Sequence, residues 1–324
     1  TGNATARSIT GVGFQPDFVW NKTRSASQNH FLYDAVRGAS KDLRSNQTGT
    51  EGTSDAVTAF GADGFSVGSG NDGNENNQTY VNWNWKANGS GSSNTEGSIN
   101  TTKTSANVDS GFSISTYTGN ATEGATVGHG LSKSPEVVLV KKRSGSSGWY
   151  MYHSALGATK NLELQVTSAV ATTANIWNDT APTADVFSLG NNAAINGTSA
   201  TFVAYCFHSV EGYSKVGSAY TGNGNVDGTF VYLGFRPRYF FLKRTDSADA
   251  WVIFDSAREP ENEDDGQDLS LKANASDAEA AYGNIDFLSN GVKIRIATGY
   301  MNNNNSPYIY MAFAETPFKY SNAR

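Results

Sequence analysis

Along the chain, short runs of Val, Ile, Leu, Phe, Tyr and Trp alternate with stretches of Gly, Ser, Thr, Asn and Asp. Apolar runs of about 4–8 residues bounded by turn formers predict β-strands. The clearest are Phe18-Val19-Trp20, Phe31-Leu32-Tyr33, Tyr80 to Trp85, Val137 to Val140, Trp149 to Tyr152, Phe202 to Phe207, Tyr239 to Leu242, Trp251 to Phe254 and Tyr308 to Phe313. In parts of them polar and apolar positions alternate. Trp83 and Trp85 with Asn82 and Asn84 predict one face in a core and the other in water. No window carries a helical period, and only Asp277 to Ala281 offers a single turn. The pattern predicts an all-β fold of packed antiparallel sheets, with a barrel as the other way to hide the apolar faces.

The pattern also repeats. Thr-Gly-Asn occurs at Thr1-Gly2-Asn3, Thr118-Gly119-Asn120 and Thr221-Gly222-Asn223, and each is followed at similar spacing by a proline: Pro16, Pro135 and Pro237. Each proline leads a strand ending in basic residues, up to Lys22, Arg143 and Arg244. The interval from Phe65 to Tyr80 recurs as Phe187 to Phe202 and as Val292 to Tyr308. Self-similarity at fixed spacing marks repeated structural units. We read three jelly-roll-like β-sandwich modules, at residues 1–87, 113–213 and 214–324, with a Gly/Ser/Thr/Asn-rich linker at 88–112. Strands Phe112 to Tyr117 and Val216 to Tyr220 precede the second and third Thr-Gly-Asn. The first copy starts at Thr1, so its opening strand is expected from residues outside this numbering or from a neighbouring subunit.

Composition narrows the classes. Of 324 residues 12% are aromatic, which is ample apolar area for a folded core. Lys and Arg number 24 against 30 Asp and Glu, a net charge of −6, so no basic excess supports nucleic-acid binding by counterion release. No apolar stretch approaches the ~18 residues of a membrane helix, so no membrane insertion is expected. The single cysteine, Cys206, is expected to be buried in a closing strand without a redox role.

Candidate chemistry is sparse. His30, His129, His153 and His208 fall in no metal or nucleophile–base spacing, and no cofactor, metal or catalytic residue is expected. Asp34 with Arg37 and Asp255 with Arg258 occupy equivalent places, where the second copy has His153 and Leu156; an ion pair or turn cap is the expected role. The acidic run Glu259 to Asp268 reads as a solvated loop, with calcium binding the competing account. Aromatics outside the predicted strands, Trp177, Tyr282 and Tyr300, are the binding candidates, because a loop ring can stack on a sugar face. Folding back to cover the sandwich is the competing account for these rings.

The repeat resembles a module of marine tailed-phage virion proteins, tail-fibre-like or decorating. The motif Thr10-Gly11-Val12-Gly13-Phe14-Gln15-Pro16-Asp17 and the ending Pro317-Phe318-Lys319-Tyr320-Ser321-Asn322-Ala323-Arg324 are its most specific pieces, and the ending looks like a natural C-terminus. A looser likeness of architecture runs to H-type lectin sandwiches. The resemblance implies a non-enzymatic protein of the virion surface or extracellular space, an adhesin for a host cell-surface glycan or protein. It also implies self-association, with a homotrimer favoured over an extended polymer. The alternative is a structural subunit, such as a capsid decoration protein or an extracellular filament subunit.

Overall fold

The computed structural model describes residues 1–262 and 268–316, and helix is confined there to four single turns. The first copy comprises β1 (Arg7–Thr10), β2 (Phe18–Thr23), β3 (Phe31–Asp34), β4 (Lys41–Arg44), β5 (Gly52–Thr53), β6 (Ala59–Gly61), β7 (Gly64–Val67), α1 (Asn71–Asn74) and β8 (Tyr80–Trp85). The second comprises β9 (Lys103–Asn107), β10 (Phe112–Thr118), β11 (Ala125–Gly128), β12 (Val137–Lys142), β13 (Trp149–His153), β14 (Lys160–Glu163), β15 (Ala171–Thr172), α2 (Ala174–Trp177), β16 (Val186–Leu189), α3 (Ala193–Asn196) and β17 (Thr201–Phe207). The third comprises β18 (Ser214–Thr221), β19 (Phe230–Tyr232), β20 (Pro237–Arg244), β21 (Val252–Asp255), β22 (Leu269–Lys272), β23 (Ala280–Ala281), β24 (Ile285–Leu288), β25 (Gly291–Ile294), α4 (Gly299–Asn302) and β26 (Pro307–Ala314).

Each copy sets a small sheet against a large one. The small sheets run β1-β7-β6, β11-β16 and β19-β25-β24. The large ones run β5-β4-β3-β2-β8, β15-β14-β13-β12-β17-β10-β9 and β18-β26-β20-β21-β22-β23. The fold is all-β, and its named strands pair antiparallel, with one isolated parallel bridge between Ile99 and Val127. Registers place the three proline-led strands in one role: Phe18 faces Asp34, Val137 faces His153 and Tyr239 faces Asp255.

The large sheets bury both faces. On β12, Val138 and Val140 enter the core between that copy's own sheets, while Val137 and Leu139 enter a second core shared by all three copies. Strand β20 divides the same way, Phe240 and Leu242 against Tyr239 and Phe241, and so does β2, Val19 against Phe18 and Trp20. Period-two side-chain alternation with both faces covered explains the unbroken apolar runs. It also corrects the expectation of one wet face. Trp83 and Trp85 point into the shared core, and Asn82 lies on the opposite side, bonded to the buried Asn21 amide at 2.7 Å.

The copies close into a ring with approximate threefold symmetry. The amide of Glu51 in copy one bonds the carbonyl of Arg143 in copy two at 3.0 Å; Val170 bonds Thr245 at 2.9 Å, and Glu279 bonds Arg24 at 2.7 Å. These are the same contact made three times, between equivalent residues, two to one, three to two and one to three. Three equivalent lysines lie beside these junctions. Lys22, Lys141 and Lys243 are fully buried, and their ammonium groups donate to backbone carbonyls, Lys141 to Thr48, Gly49 and Ser147. Burial pulls each of them down to about 8.

The Thr-Gly-Asn motif is a docking clip. Asn74, Asn196 and Asn302 are buried at the ends of α1, α3 and α4, and their Oδ1 atoms accept from the amides of Asn3, Asn120 and Asn223 at 3.1, 3.0 and 2.9 Å. Their Nδ2 groups donate to two or more further acceptors each, which leaves these buried amides satisfied. A Cβ on Gly2, Gly119 or Gly222 would lie 2.0, 2.5 or 2.3 Å from a backbone carbonyl oxygen, so only glycine fits.

Two expectations about the segments between copies change. Residues 88–112 are not a free linker: β9 extends the sheet of copy two, and Ile99 is buried in that copy's core, bridging Val127. Asp277 to Ala281 forms no helical turn and ends in β23. The burial pattern of β8 is more open than those of β17 and β26, because β8 pairs only β2 among the described residues.

Stability should fall as pH drops from about 6.5 to about 4, and His153 is the main named contributor. Burial lowers its imidazole to about 4, against the opposing pull of the Tyr310 and Val216 carbonyls. The unfolded chain therefore takes up a proton in that window that the native state refuses. The loss is about 3 kcal/mol at ~1.4 kcal/mol per unit. Urea midpoints at pH 7 and pH 4 check it, and an unchanged midpoint would contradict it.

Candidate functional site

The sequence candidates were loop rings, and the structure buries most of them. Trp177 closes α2 and is 1% exposed in the core of copy two, with Tyr152 edge-on at 6.1 Å, so it covers the sandwich and cannot meet a ligand. Tyr300 is 8% exposed and stacks on Tyr282 at 3.9 Å. Only Tyr282 keeps partial exposure, and the Lys272 ammonium sits 4.6 Å from its ring centre. The structure brings Tyr282 and Tyr300 together and leaves Trp177 apart.

The Asp–Arg pairs are fastened inside the junctions. Arg37 Nε contacts Asp34 Oδ2 at 2.5 Å with both side chains fully buried, and Tyr205 of copy two donates to the same oxygen at 2.7 Å. Arg37 reaches Glu51 at 3.2 Å, and Glu51 meets Arg143 at 2.8 Å. Burial alone would raise the Glu51 carboxyl; the Arg143 hydrogen bond and the Arg37 charge bring it below its usual value. Copy three repeats the network with Asp255, Arg258 and Glu279, Trp83 of copy one donating at 3.0 Å and Arg24 closing at 2.8 Å. The third junction replaces every member, with His153, Leu156, Val170, Met311 and Thr245 at the equivalent positions. These carboxylates face other copies of the repeat and no open cleft.

Other titratable groups are equally enclosed. The four histidines are at most 5% exposed, and burial first lowers every one of them. Cys206 is buried between Tyr205 and Phe207, and burial pushes its thiol up to about 12. Among the described residues no group of three or more His, Cys, Asp or Glu is placed to hold a metal ion. Of the acidic run, 263–267 lies outside the described residues; Glu259 accepts from the Leu269 amide at 3.1 Å. Among the described residues no helix is long and apolar enough to cross a membrane.

One surface departs from the repeat. The middle residues of β1, β11 and β19 correspond, since Ile9 faces Phe65, Val127 faces Phe187 and Val231 faces Val292. Their flanking positions, which point away from each copy's core, hold Ser8 and Thr10, Thr126 and Gly128, and Phe230 and Tyr232. In copy two, residues 94–99 cover that strand. In copy three it is an edge strand with two bare rings, Phe230 at 41% and Tyr232 at 60% exposure. Gly291 makes room: a Cβ there would come within 3.0 Å of the Phe230 ring. Charged groups frame the rings. Lys215 lies 5.5 Å from the Tyr232 ring centre and donates to its carbonyl at 2.8 Å. Lys293, cross-strand from Phe230, pairs with Asp227 at 2.7 Å, and Arg295 pairs with Asp286 at 2.6 Å. The Lys293 hydrogen bond holds the Asp227 carboxyl below its usual value. Flat apolar faces ringed by hydrogen-bonding charges can stack on a ligand and orient its polar groups.

Sequence reasoning missed this pair because Phe-Val-Tyr reads as an ordinary strand. The available signal was the alignment of copies, in which two carry small residues where the third carries rings.

A family model described as "Domain of unknown function (DUF7483)" matches residues 1–317. The chain belongs to the DUF7483 family. The match runs as one unit across all three copies, in keeping with the single core they share in this DUF7483 protein. No curated protein and no solved structure matches it.

Proposed function

We propose that this DUF7483 protein is a non-enzymatic recognition protein of a virion or extracellular surface, akin to a phage tail-fibre adhesin. Its Phe230–Tyr232 face contacts a host cell-surface glycan. The observation that carries the reading is the exposed aromatic pair on β19 at positions where the sister copies hold Ser8 and Thr10 or Thr126 and Gly128. Exposed rings cost solubility and bring nothing to the core, so their place in one copy alone favours a binding role. The histidines and the thiol are buried, and the Asp227 and Asp286 carboxylates at that face are paired with Lys293 and Arg295, which supports a protein that binds without turnover. A second reading, a structural subunit of an assembly, draws on the outer edge of β8, which is unpaired among the described residues.

Phe230→Ser with Tyr232→Thr gives copy three the residues of copy one and separates binding from folding. On an array of bacterial surface polysaccharides the wild-type chain should bind, and the double variant should lose tenfold or more, about 1.4 kcal/mol, with its melting temperature unchanged. Full binding by the variant would remove the proposed face from the function. Binding only to protein extracts would replace the glycan with a protein partner.

A further inference from the structure

The three junctions differ at one ring. His30, Trp149 and Trp251 are equivalent, each lying four residues ahead of the residue that faces Phe18, Val137 or Tyr239. The Trp149 indole donates across its junction to Arg44 O at 2.9 Å, and the Trp251 indole donates to Glu163 O at 3.2 Å. Between copies three and one the equivalent acceptor is Lys272 O, since Arg44 faces Phe31, Glu163 faces Tyr150 and Lys272 faces Val252. There the ring is His30, which lies within reach of that carbonyl although its Nε2 closes no hydrogen bond. Its Nδ1 accepts from the Trp20 indole at 2.9 Å, and the side chain is fully buried. Trp20 stands where the sister copies have Leu139 and Phe241, and packs edge-on to the smaller imidazole.

An indole N–H only donates, so Nδ1 of His30 carries no proton in this arrangement. A protonated imidazole has a hydrogen on both nitrogens. Protonation would set Nδ1–H against the Trp20 N–H, in an interior that solvates neither. The surrounding charges act the same way. Lys22 and Arg258 both repel a cation at His30. Asp255 and Glu279 are held by Arg258 and Arg24, and Asp277 lies 3.6 Å from Lys272. The His30 amide bonds the neutral Asn46 side chain at 3.1 Å.

This junction is also the one without a tether. The chain runs from copy one to copy two and from copy two to copy three. Among the described residues copies three and one meet through noncovalent contacts alone, including Gln28 N to Ser276 O at 2.8 Å and Glu279 N to Arg24 O at 2.7 Å.

We infer that the junction between copies three and one is a proton-sensitive seam, which opens when His30 is protonated and parts from Trp20. The direction follows from the enclosure of the ring. Burial first, and then the Lys22 charge, holds the imidazole well below its ordinary 6.5 while the seam is closed. In an opened seam the ring recovers that ordinary value, so opening becomes easier as pH falls below about 6.5. The junction between copies one and two is a reference built into the same molecule. Its Glu51, Arg37 and Arg143 match Glu279, Arg258 and Arg24, and its Trp149 does not titrate. The remaining junction carries His153 and is sensitive to acid on its own account.

Hydrogen exchange at pH 7 and about pH 4.5, corrected for intrinsic rates, reads the two junctions separately. On acidification the amides of Gln28 and Glu279 should lose about tenfold or more protection relative to Ser147 and Glu51, whose bonds to Thr48 O and Arg143 O are their equivalents. His30→Gln keeps an acceptor and a donor but takes up no proton, and it should abolish the difference. Should that variant fold poorly, His30→Trp with Trp20→Leu restores the pair that copy two has in Trp149 and Leu139, with the same expected result. Equal loss of protection at both junctions, or an acid loss at Gln28 and Glu279 that survives in these variants, would overturn the inference.

Discussion

Arg37→Leu should lower the stability of the native protein by about 3–5 kcal/mol, the usual cost of stranding one member of a buried ion pair. The substitution removes the charged donor at Asp34 Oδ2, leaving only the Tyr205 hydroxyl there, and leaves the Leu32 and Lys41 carbonyls without the guanidinium that bonds them at 2.8 and 3.0 Å. Asp34 is fully buried, so its carboxylate cannot recover solvation. The structure also specifies the rescue. Asp34→His, Arg37→Leu, Glu51→Val, Tyr205→Met and Arg143→Thr together convert this junction to the chemistry already present at His153, Leu156, Val170, Met311 and Thr245. Because an apolar replacement of a complete buried ionic set is often neutral, the fivefold variant should regain most of the loss. Urea unfolding of both variants decides the matter. A fivefold variant no more stable than Arg37→Leu would show that the junctions are not interchangeable environments.

The second expectation is that no copy folds alone as a monomer. Residues 113–213 place Ile114, Val137, Leu139, Trp149, Met151, Val203, Tyr205 and Phe207 in the shared core, where they are at most 6% exposed. Each such side chain is worth about 1.5–3 kcal/mol when buried. Exposing eight of them forfeits about 12–24 kcal/mol, at least comparable to the ~5–15 kcal/mol by which ordinary domains are stable. Expressed by itself, the segment should be unfolded or associated, with exchange-labile amides and dye-binding apolar surface. A monomeric fragment with protected amides and a cooperative melt would refute the shared core as the main source of stability.

The strand pattern was legible because β-rich cores write themselves as apolar runs bounded by turn formers. Pro16, Pro135 and Pro237 lead into equivalent strands, and Cys206 is buried as expected. Less legible was the destination of the second apolar face. In Val137-Val138-Leu139-Val140 nothing separates a residue facing its own sandwich from one facing a neighbour. Asn82 and Asn84 read as a wet face because asparagine is usually exposed, although Asn21, bonded to Asn82, is buried. The linker reading failed at Ile99, one apolar residue whose burial depends on a bridge to Val127 that local composition cannot reveal. Trp177 failed for a related reason. A polar run flanks it, and the helical turn that swings it inward comes from tertiary packing.

The junction without charges determines which way round the molecule is built. Three similar units could in principle close clockwise or anticlockwise, and nothing in a fully uniform set of contacts would separate the two. In the observed direction the turn of copy one meets Tyr205, the turn of copy three meets Trp83, and the apolar turn of copy two meets Met311. Reversal would set Asp34 against Met311, with no donor for its carboxylate, and Leu156 against Trp83, whose indole N–H would then lack its acceptor. The molecule's chirality at this level is thus carried by a handful of side chains, and the single mismatched corner serves as its keyway.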